Sequence, residues 1–282
     1  MIEAILLGAA QDAGLPQAGC ACARCRAAHT DPSRRQFVVC LGLIDHTSKQ
    51  MWMIDATPDF REQLALLQQA APDCRLAGIL LTHAHMGHYT GLIQLGREAW
   101  NTQQLPVYAT PRMCAFLMGN QPWKQLVEFG NIALHPSPPD DPIRLAPGLT
   151  ATPIPVPHRD EWSDTMAFRI DGPQRSLFYC PDIDDWDRWD RSLPEMLAAV
   201  DVALLDGAFF SPAELPGRNI AEIPHPLATD TTERAAAAGT ECDVRLIHLN
   251  HTNPLWDDGP ERAWVAERGV GVGATGDRWV LG

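Results

Sequence analysis

Three histidines fall within six residues in the segment LLTHAHMGHYTG, directly after an apolar run. The run Arg75–Leu81 predicts a buried strand, and the apolar spacing behind the histidines predicts a helix over Thr90–Trp100. The histidines therefore stand on a tight turn from strand to helix, where a rigid sheet end aims side chains into a cleft. Being two residues apart at an extended strand end, His83 and His85 can point the same way, while His88 would reach more easily towards a neighbouring ion. Because imidazole is the commonest metal ligand, the pattern favours a metal site over a histidine-rich surface loop.

A metal site needs further ligands from distant segments, and residues of the right kind end three more apolar runs. They are His158 after Leu149–Val156, Asp182 after Ser176–Cys180 and His248 after Val244–Ile247. One carboxylate among several imidazoles suits a bridge between two ions, because each of its oxygens can bind one ion. Any one of these residues alone would be interpreted as a structural histidine or a capping aspartate. Together with the histidine cluster they predict a metal centre.

The order of these residues resembles the metallo-β-lactamase superfamily, whose motif His-x-His-x-Asp-His is followed by a histidine, a bridging aspartate and a final histidine. The segments ATPDFR from Ala56 and HLNHTNP from His248, together with an N-terminal cysteine cluster, are similar to one branch of it. That branch contains the coenzyme PQQ synthesis B proteins and the cyclic phosphodiesterase of phosphonate breakdown. The resemblance implies a first ion held by His83, His85 and His158, a bridge at Asp182, and a second ion held by His88 and His248.

The sequence departs from the motif at one position, because Gly87 stands where the superfamily has its aspartate. That aspartate is a ligand of the second ion, so His88, His248 and the bridging Asp182 remain. Three protein ligands and a water suffice for a catalytic zinc-type site. One negative charge is nevertheless missing, so we expect the second ion to bind more weakly or the enzyme to work with one ion. Replacing Gly87 by aspartate is then expected to raise the affinity of the second site.

Three of the eight cysteines, Cys20, Cys22 and Cys25, lie within six residues. A C-x-C-x-x-C spacing is too tight for disulfides across a fold and suits thiolates that converge on one tetrahedral ion. His251, three residues after His248, is the candidate fourth ligand, as the resemblance to the phosphodiesterase also implies. Such a closed structural zinc site would stabilise the fold, and the alternative is a redox or palmitoylated cluster. The remaining scattered thiols fit a reducing compartment.

Three further residues adjoin the expected centre. Asp206 ends the apolar run Val202–Leu205 and either orients a ligand histidine or is a plain strand-terminal aspartate. Asp55 resembles the superfamily's structural aspartate beside the metal loop. By the same resemblance, His225 in the segment IPHP contacts the substrate or protonates the leaving group, so it is the candidate catalytic residue together with Asp182. The alternative for His225 is an ordinary loop histidine.

The apolar runs predict a mixed α/β protein. Strands are predicted at Met1–Gly8, Gln50–Ile54, Leu149–Val156, Met166–Ile170, Ser176–Cys180, Val202–Leu205, Val244–His248 and Arg278–Leu281. Helices besides Thr90–Trp100 are predicted at Asp59–Ala70, Leu193–Val200, Asp230–Ala238 and Pro260–Glu267. The resemblance implies a four-layer αββα metallo-β-lactamase-like sandwich. The proline-rich stretch 135–142 is predicted to be a surface loop within a single domain of residues 1–282, because expected ligands lie on both sides of it.

The formal net charge of −13 disfavours nucleic acid as a partner, since only 22 Lys and Arg face 35 Asp and Glu. A nucleic-acid enzyme normally presents a basic stripe to the phosphate backbone. A small-molecule substrate is expected instead, and a homodimer is left open. A membrane is not expected as a partner, because no apolar run approaches the length of a span. The N-terminal run lacks the basic flank of a signal peptide, so the expected location is the cytoplasm.

The expected cofactors, one structural zinc and one or two catalytic divalent ions, leave two functions open. The leading hypothesis is a metal-dependent hydrolase of a small ester or phosphodiester, in which hydroxide formed on zinc, manganese or iron ions attacks the substrate. The alternative, implied by the same resemblance, is an iron-dependent oxygenase or hydroxylase like the PQQ synthesis B proteins. Imidazoles with one carboxylate suit ferrous iron as well as zinc. A non-catalytic metal-binding protein is disfavoured, because so many ligands converge at strand ends.

Overall fold

The computed structural model describes residues 1–214 and 223–282, and two mixed β-sheets form its centre. The strands, numbered along the chain, are β1 Ile2–Gly8, β2 Cys40–Asp45, β3 Gln50–Ile54, β4 Arg75–Leu80, β5 Leu105–Ala109, β6 Ile132–Pro136, β7 Ile143–Ala146, β8 Leu149–Pro155, β9 Met166–Asp171, β10 Ser176–Cys180, β11 Val202–Asp206, β12 Asp243–Ile247, β13 Gly271–Val272 and β14 Arg278–Val280. All predicted strands are therefore present, with ends shifted by a residue or two.

Short helices connect these strands. The α-helices are α1 Ala23–Thr30, α2 Phe60–Ala70, α3 Met86–Tyr89, α4 Pro111–Gly119, α5 Trp123–Glu128, α6 Leu193–Ala198, α7 Ala228–Ala238 and α8 Pro260–Ala266. The 3-10 helices are Pro32–Arg34, Thr90–Leu95, Trp186–Arg188, Pro212–Glu214 and Pro254–Trp256. Within the described parts of the chain, none of the helices has the length and apolar character needed to cross a bilayer.

Each half of the chain builds one sheet. The first sheet has the order β14-β1-β2-β3-β4-β5-β6, and the second has the order β13-β12-β11-β10-β9-β8-β7. Strands β3 to β6 run parallel to one another, and so do β10 to β13. The remaining neighbours are antiparallel, including the pair of β1 and β14. Because β14 returns from the second half to the first sheet, it ties the two halves together.

Strands β1, β2 and β11 are buried on both faces, which explains why they are nearly continuous apolar runs. In β1, Ala4 and Leu6 face the cluster between the two sheets, whereas Ile5 and Leu7 face the helices outside the first sheet. This alternation follows from the two-residue period of a strand. On the second sheet, Phe178 packs outwards into a third apolar cluster beneath α6, α7 and α8. The predicted αββα sandwich is confirmed.

The carboxyl ends of the parallel strands bring the polar residues together. Asp55 follows β3, His83 follows β4, Asp182 follows β10, and His248 follows β12. Open sheets of this kind usually bind ligands outside the carboxyl ends of their strands. His158 follows β8, which runs in the same direction as β10 because both are antiparallel to β9. All the expected catalytic-centre ligands therefore lie at one edge of the sandwich.

The predicted helix Thr90–Trp100 is wrong. In its place, α3 passes into a 3-10 helix that ends at Leu95, and turns follow. The reason is tertiary: the Gly91 N–H donates to the Ala56 carbonyl at 2.8 Å, and the Ala56 N–H donates to the His88 carbonyl at 2.8 Å. These bonds anchor the segment to the loop after β3 at the expense of a regular helical ladder. The predicted loop 135–142 is confirmed in part: β6 extends to Pro136, and residues 137–142 form the connection to β7, exposed except at the buried Ser137.

The packing between the sheets predicts that removing a large side chain from it will destabilise the protein. Trp52 is 2% exposed and lies in the inter-sheet cluster. We expect Trp52→Ala to lower the free energy of unfolding by about 3–5 kcal/mol, because it removes a large buried side chain and leaves a cavity. Trp100, which is 44% exposed, is the matched control, and Trp100→Ala should cost less than about 0.5 kcal/mol. Urea unfolding at a fixed metal concentration measures both, and equal losses would contradict the assignment.

Candidate metal centre

Three histidines form the first ligand set. The distances between ring nitrogens are 2.8 Å from His83 Nε2 to His85 Nδ1 and 3.2 Å from His158 Nε2 to His85 Nδ1. Ligand nitrogens 2.0–2.1 Å from a tetrahedral ion would be about 3.3 Å apart. Burial lowers the pKa of His83 well below its ordinary value and that of His85 to about 4. Neutral rings with converging lone pairs suit a metal ion, and this group can hold one.

Asp182 lies between the first set and a second one. Its Oδ1 is 3.5 Å from His158 Nε2, whereas its Oδ2 is 3.2 Å from His88 Nε2 and 3.4 Å from His248 Nε2. The carboxylate is buried, and among the described residues its Oδ2 has no hydrogen-bond partner. A buried carboxylate oxygen without a partner is costly, and a cation between the ligand sets would satisfy it. Burial opposes ionisation, but the charges of His248 and His88 hold the pKa of Asp182 well below its ordinary value.

The backbone at the site is strained at two positions. Asp55 has a φ of 73° and His248 has a φ of 62°, the left-handed region that L-residues rarely adopt. Each follows the last residue of a strand, where the chain turns sharply into the cleft. Such strain persists only where the surroundings fix it, and it is concentrated at functional sites.

The expected ligand histidines are held in orientation by a second set of contacts. The Nδ1 atoms of three of these rings lie near fixed oxygens: His83 at 2.9 Å from Thr82 Oγ1, His88 at 2.7 Å from Asp55 Oδ2, and His158 at 3.0 Å from Asp184 Oδ1. These contacts leave the Nε2 atoms to face the centre, as is usual for metal-binding histidines. Sequence reasoning missed Asp184, although it lies two residues after the expected bridge.

His225 also reaches the centre, and its partner corrects one expectation. Asp206 Oδ2 accepts a hydrogen bond from His225 Nδ1 at 2.7 Å, so Asp206 orients the candidate catalytic histidine, and it is not the partner of an expected ligand. His225 Nδ1 lies 3.9 Å from Asp182 Oδ1. Burial alone would lower the pKa of His225, but the Asp206 carboxylate raises it to about 9. The structure thus places His225, held by Asp206, beside the two ligand sets.

Asp12 is a further residue of the centre that sequence reasoning missed. Its Oδ1 lies 3.0 Å from His88 Nε2 and 3.5 Å from His248 Nε2, and the three side chains form a group able to hold a metal. Burial opposes its ionisation, but hydrogen bonds from His248 and His88 hold the pKa of Asp12 well below its ordinary value. A sequence signal existed, because Asp12 follows the first apolar strand as the other polar residues follow theirs.

The cysteine cluster and His251 form a second, separate site. His251 Nδ1 lies 3.7 Å from Cys20 Sγ, 3.8 Å from Cys22 Sγ and 3.4 Å from Cys25 Sγ. Bonds of about 2.3 Å to sulfur and 2.0–2.1 Å to nitrogen at a tetrahedral ion would place these atoms about 3.6 Å apart. All eight cysteines are free thiols. The geometry therefore fits the expected zinc ion, and the cluster contains no disulfide.

Backbone donors surround these sulfur atoms. The N–H groups of Gln17, Cys22 and Cys25 each approach a cluster sulfur at 3.4 Å. Burial opposes ionisation of Cys22, yet the backbone N–H of Cys25 and His251 lower its pKa to about 6. Arg24 Nη1 donates to the His251 carbonyl at 2.8 Å and fixes that segment. Metal binding requires thiolates, so these donors favour the liganding form of Cys22, whereas burial raises the pKa of the Cys25 thiol to about 11.

A pocket lies beside the first ligand set. It has a volume of about 450 Å³ and is lined by His158, Arg159, Asp184 and Arg188 among others. A volume in this range holds a small molecule. Trp162, 64% exposed, follows Glu161, whose Oε2 lies 3.7 Å from His85 Nε2. An exposed aromatic side chain therefore lies next to the residue that contacts His85.

Comparison with known proteins agrees with this fold. A family model described as the beta-lactamase superfamily domain matches residues 52–252. The chain therefore belongs to the metallo-β-lactamase superfamily, in the branch that resembles coenzyme PQQ synthesis protein B. It is 30% identical to that protein from Cupriavidus taiwanensis over 94% of this chain and 95% of the relative. With the protein of the same description from Cupriavidus necator the identity is 29%, over 96% and 97%.

Two solved structures are similar over nearly their whole length. Zn(2+)-bound PqqB from Methylobacterium extorquens has a TM-score of 0.83 at 22% identity, covering 99% of this chain and 100% of that chain. A diphosphatase from the PhnP family has a TM-score of 0.71 at 21% identity, covering 99% and 96%. At these identities the likeness shows the fold alone.

The cysteine site predicts a stoichiometric loss of zinc. We expect Cys22→Ser to lower the zinc content by about one ion per chain and to lower the unfolding temperature, because a structural zinc contributes folding energy directly. Cys74→Ser is the matched control, since Cys74 is a free, half-buried thiol outside the cluster. Elemental analysis and thermal unfolding measure both variants. Full zinc content in Cys22→Ser would show that the cluster does not hold the ion.

Proposed function

We propose that this protein is a metal-dependent hydrolase of a small ester, most specifically a phosphodiester, that works with two ions. The observation that carries the proposal is the position of Asp182, whose Oδ1 faces His158 and whose Oδ2 faces His88 and His248. A carboxylate between two ligand sets suits two ions a few ångströms apart, as in two-metal phosphatases and nucleases. When bound, such ions supply a nucleophile by lowering the pKa of water from ~15.7 to about 7 and stabilise developing negative charge.

The side chains of this protein would hold the ions and supply the proton. His83, His85 and His158 fix one side of the centre, and Asp182 spans to the other. His225 is held by Asp206, whose carboxylate raises the pKa of the imidazole and favours its protonated form, so we assign to His225 the donation of a proton to the leaving oxygen. A positioned general acid typically contributes about 10²–10⁴-fold to the rate.

The proposed substrate is small and carries negative charge. The pocket beside His158 has room for a small molecule, and Arg159 and Arg188 line it. Arg188 pairs with Asp184 at 3.2 Å, which fixes one of these cations next to the His158 contact. The excess of acidic residues elsewhere disfavours a long polyanion. The fold likeness to a diphosphatase of the PhnP family is consistent with phosphate chemistry.

A second candidate is an oxygenase or hydroxylase with one ferrous ion. The similarity to coenzyme PQQ synthesis protein B over almost the whole chain favours it. The two functions are separated by purifying the protein without oxygen and measuring its metals. Zinc or manganese with hydrolysis of bis(p-nitrophenyl) phosphate supports the hydrolase. Stoichiometric iron with oxygen consumption and no hydrolysis supports the oxygenase.

Removing the bridging charge tests the two-ion proposal. We expect Asp182→Asn to lower kcat for bis(p-nitrophenyl) phosphate at least about 100-fold, because the amide neither neutralises nor joins two ions. Asp187→Asn, an exposed aspartate that pairs with Arg234 on the surface, is the control and should leave the rate unchanged. Unaltered hydrolysis in Asp182→Asn would refute the bridge.

The role of His225 predicts a dependence on the leaving group. We expect His225→Ala to slow phosphodiesters with a phenyl leaving group by about 100-fold or more, and those with a p-nitrophenyl group by less than about 10-fold, because a poor leaving group needs the proton. His29, exposed and outside the centre, provides the control His29→Ala. Equal losses for both substrates would show that His225 acts by binding or structure rather than as the acid.

A further inference from the structure

Next to Gly87, the position that departs from the superfamily motif, the space for a side chain is occupied by a residue from another part of the chain. Gly87 is buried in α3 and has no side chain. A Cβ atom built on Gly87 would lie 2.7 Å from the Cα atom of Asp12, and it would collide with Asp12 Oδ1. Real Cβ atoms do not approach other atoms so closely, so a side chain at position 87 would displace Asp12. The carboxylate of Asp12 thus occupies the space from which a motif aspartate would extend.

Asp12 meets the same two nitrogens as the bridging carboxylate. His88 Nε2 is 3.0 Å from Asp12 Oδ1 and 3.2 Å from Asp182 Oδ2. His248 Nε2 is 3.5 Å from Asp12 Oδ1 and 3.4 Å from Asp182 Oδ2. All four separations are close to the edge of about 3.3 Å expected for ligands of a tetrahedral ion. The buried Asp182 Oδ2, which lacks a hydrogen-bond partner among the described residues, faces this space.

The loop that carries Asp12 is fixed on two sides. The Gln11 N–H donates to the Leu249 carbonyl at 3.0 Å, and the Leu249 N–H donates to the Ala9 carbonyl at 2.9 Å. On the other side, the Ala10 N–H donates to the Phe37 carbonyl at 2.9 Å. Because Leu249 follows His248 directly, these bonds hold Asp12 in register with one of its own contacts. These bonds fix the backbone of the three residues directly before Asp12.

We propose that Asp12 is the carboxylate ligand of the second metal ion, in place of the aspartate that the chain lacks at Gly87. The second site then has two imidazoles and two carboxylates, Asp12 and Asp182, so two negative charges face one divalent cation. The expectation that Gly87 weakens this site is thereby replaced: the ligand is present but comes from the loop after β1. This assignment rests on the two-ion centre of the proposed function.

The affinity for zinc tests the role of Asp12 independently of enzymatic activity. Equilibrium dialysis of metal-free protein against buffered zinc, followed by elemental analysis, gives the number of ions and their affinities. We expect Asp12→Asn to weaken the second ion of the histidine centre about 10–100-fold or more and to leave the other ions unchanged, since even outer contacts of a ligand contribute that much. Asp12→Ser provides a second variant, and the exposed Asp73, as Asp73→Asn, is the charge-matched control.

Gly87→Asp adds a test of the shared space. Because its side chain would collide with Asp12, we expect this variant to weaken the second ion rather than to strengthen it. Unchanged zinc affinities in both Asp12 variants, or a wild type with one ion at the histidine centre, would overturn the assignment. Weaker zinc binding in the Asp12 variants, with no phosphodiester hydrolysis by the wild type, would support Asp12 and refute only the proposed function. Phosphodiester hydrolysis by the wild type, with unaltered zinc binding in the Asp12 variants, would support the proposed function and refute the Asp12 assignment.

Discussion

The contact between the two sheets is the interaction on which the centre depends, because its ligand-type residues come from both halves of the chain. His83, His85 and His88 follow a strand of the first sheet, whereas His158, Asp182 and His248 follow strands of the second. Their separations of about 3 Å exist only while the apolar faces between the sheets are in register. Each large apolar side chain buried there contributes roughly 1.5–3 kcal/mol, so the inter-sheet cluster holds the polar edge in place. Strand β14 follows the second sheet in the chain and pairs with β1, so it also connects the second half of the chain to the first sheet.

The polar edge itself opposes folding. Asp55, Asp182 and Asp206 are almost fully buried, and burying a carboxylate is costly unless it is paired. Two of them have an imidazole nitrogen at 2.7 Å, Asp55 from His88 and Asp206 from His225. The positive φ angles at the site add strain of about 1–3 kcal/mol each. Buried carboxylates and strained backbone of this kind are typical of a functional site, where they lower the stability of the fold but hold charged groups in position for a ligand.

Much of this site could be predicted from the sequence, because strands buried on both faces are continuous apolar runs whose ends are easily located. The histidine cluster, Asp182 and the cysteine cluster all stand at such ends or in tight spacings. Five strands were not predicted: β2, β5, β6, β7 and β13. Proline weakens the strand pattern in two of them, since Pro106 lies inside β5 and Pro136 ends β6. The prediction of a helix over Thr90–Trp100 was wrong because backbone hydrogen bonds to the loop after β3 determine the conformation of that segment. Asp12 follows the first apolar strand, but the sequence does not show that its carboxylate lies against Gly87, because that contact forms only in the folded chain.

The segment from His248 to His251 serves both the histidine centre and the cysteine site, and this limits how the chain can change in length. Leu249, between these histidines, is bonded to the loop after β1, and the His251 carbonyl accepts a hydrogen bond from Arg24 of α1. An insertion or deletion of one residue here would move one histidine away from its partners, whichever end stayed fixed. The exposed connection between β6 and β7 carries no such restriction, since surface loops tolerate added residues. Length variation among homologous chains should therefore accumulate in that connection and be absent from the three-residue step between the two histidines.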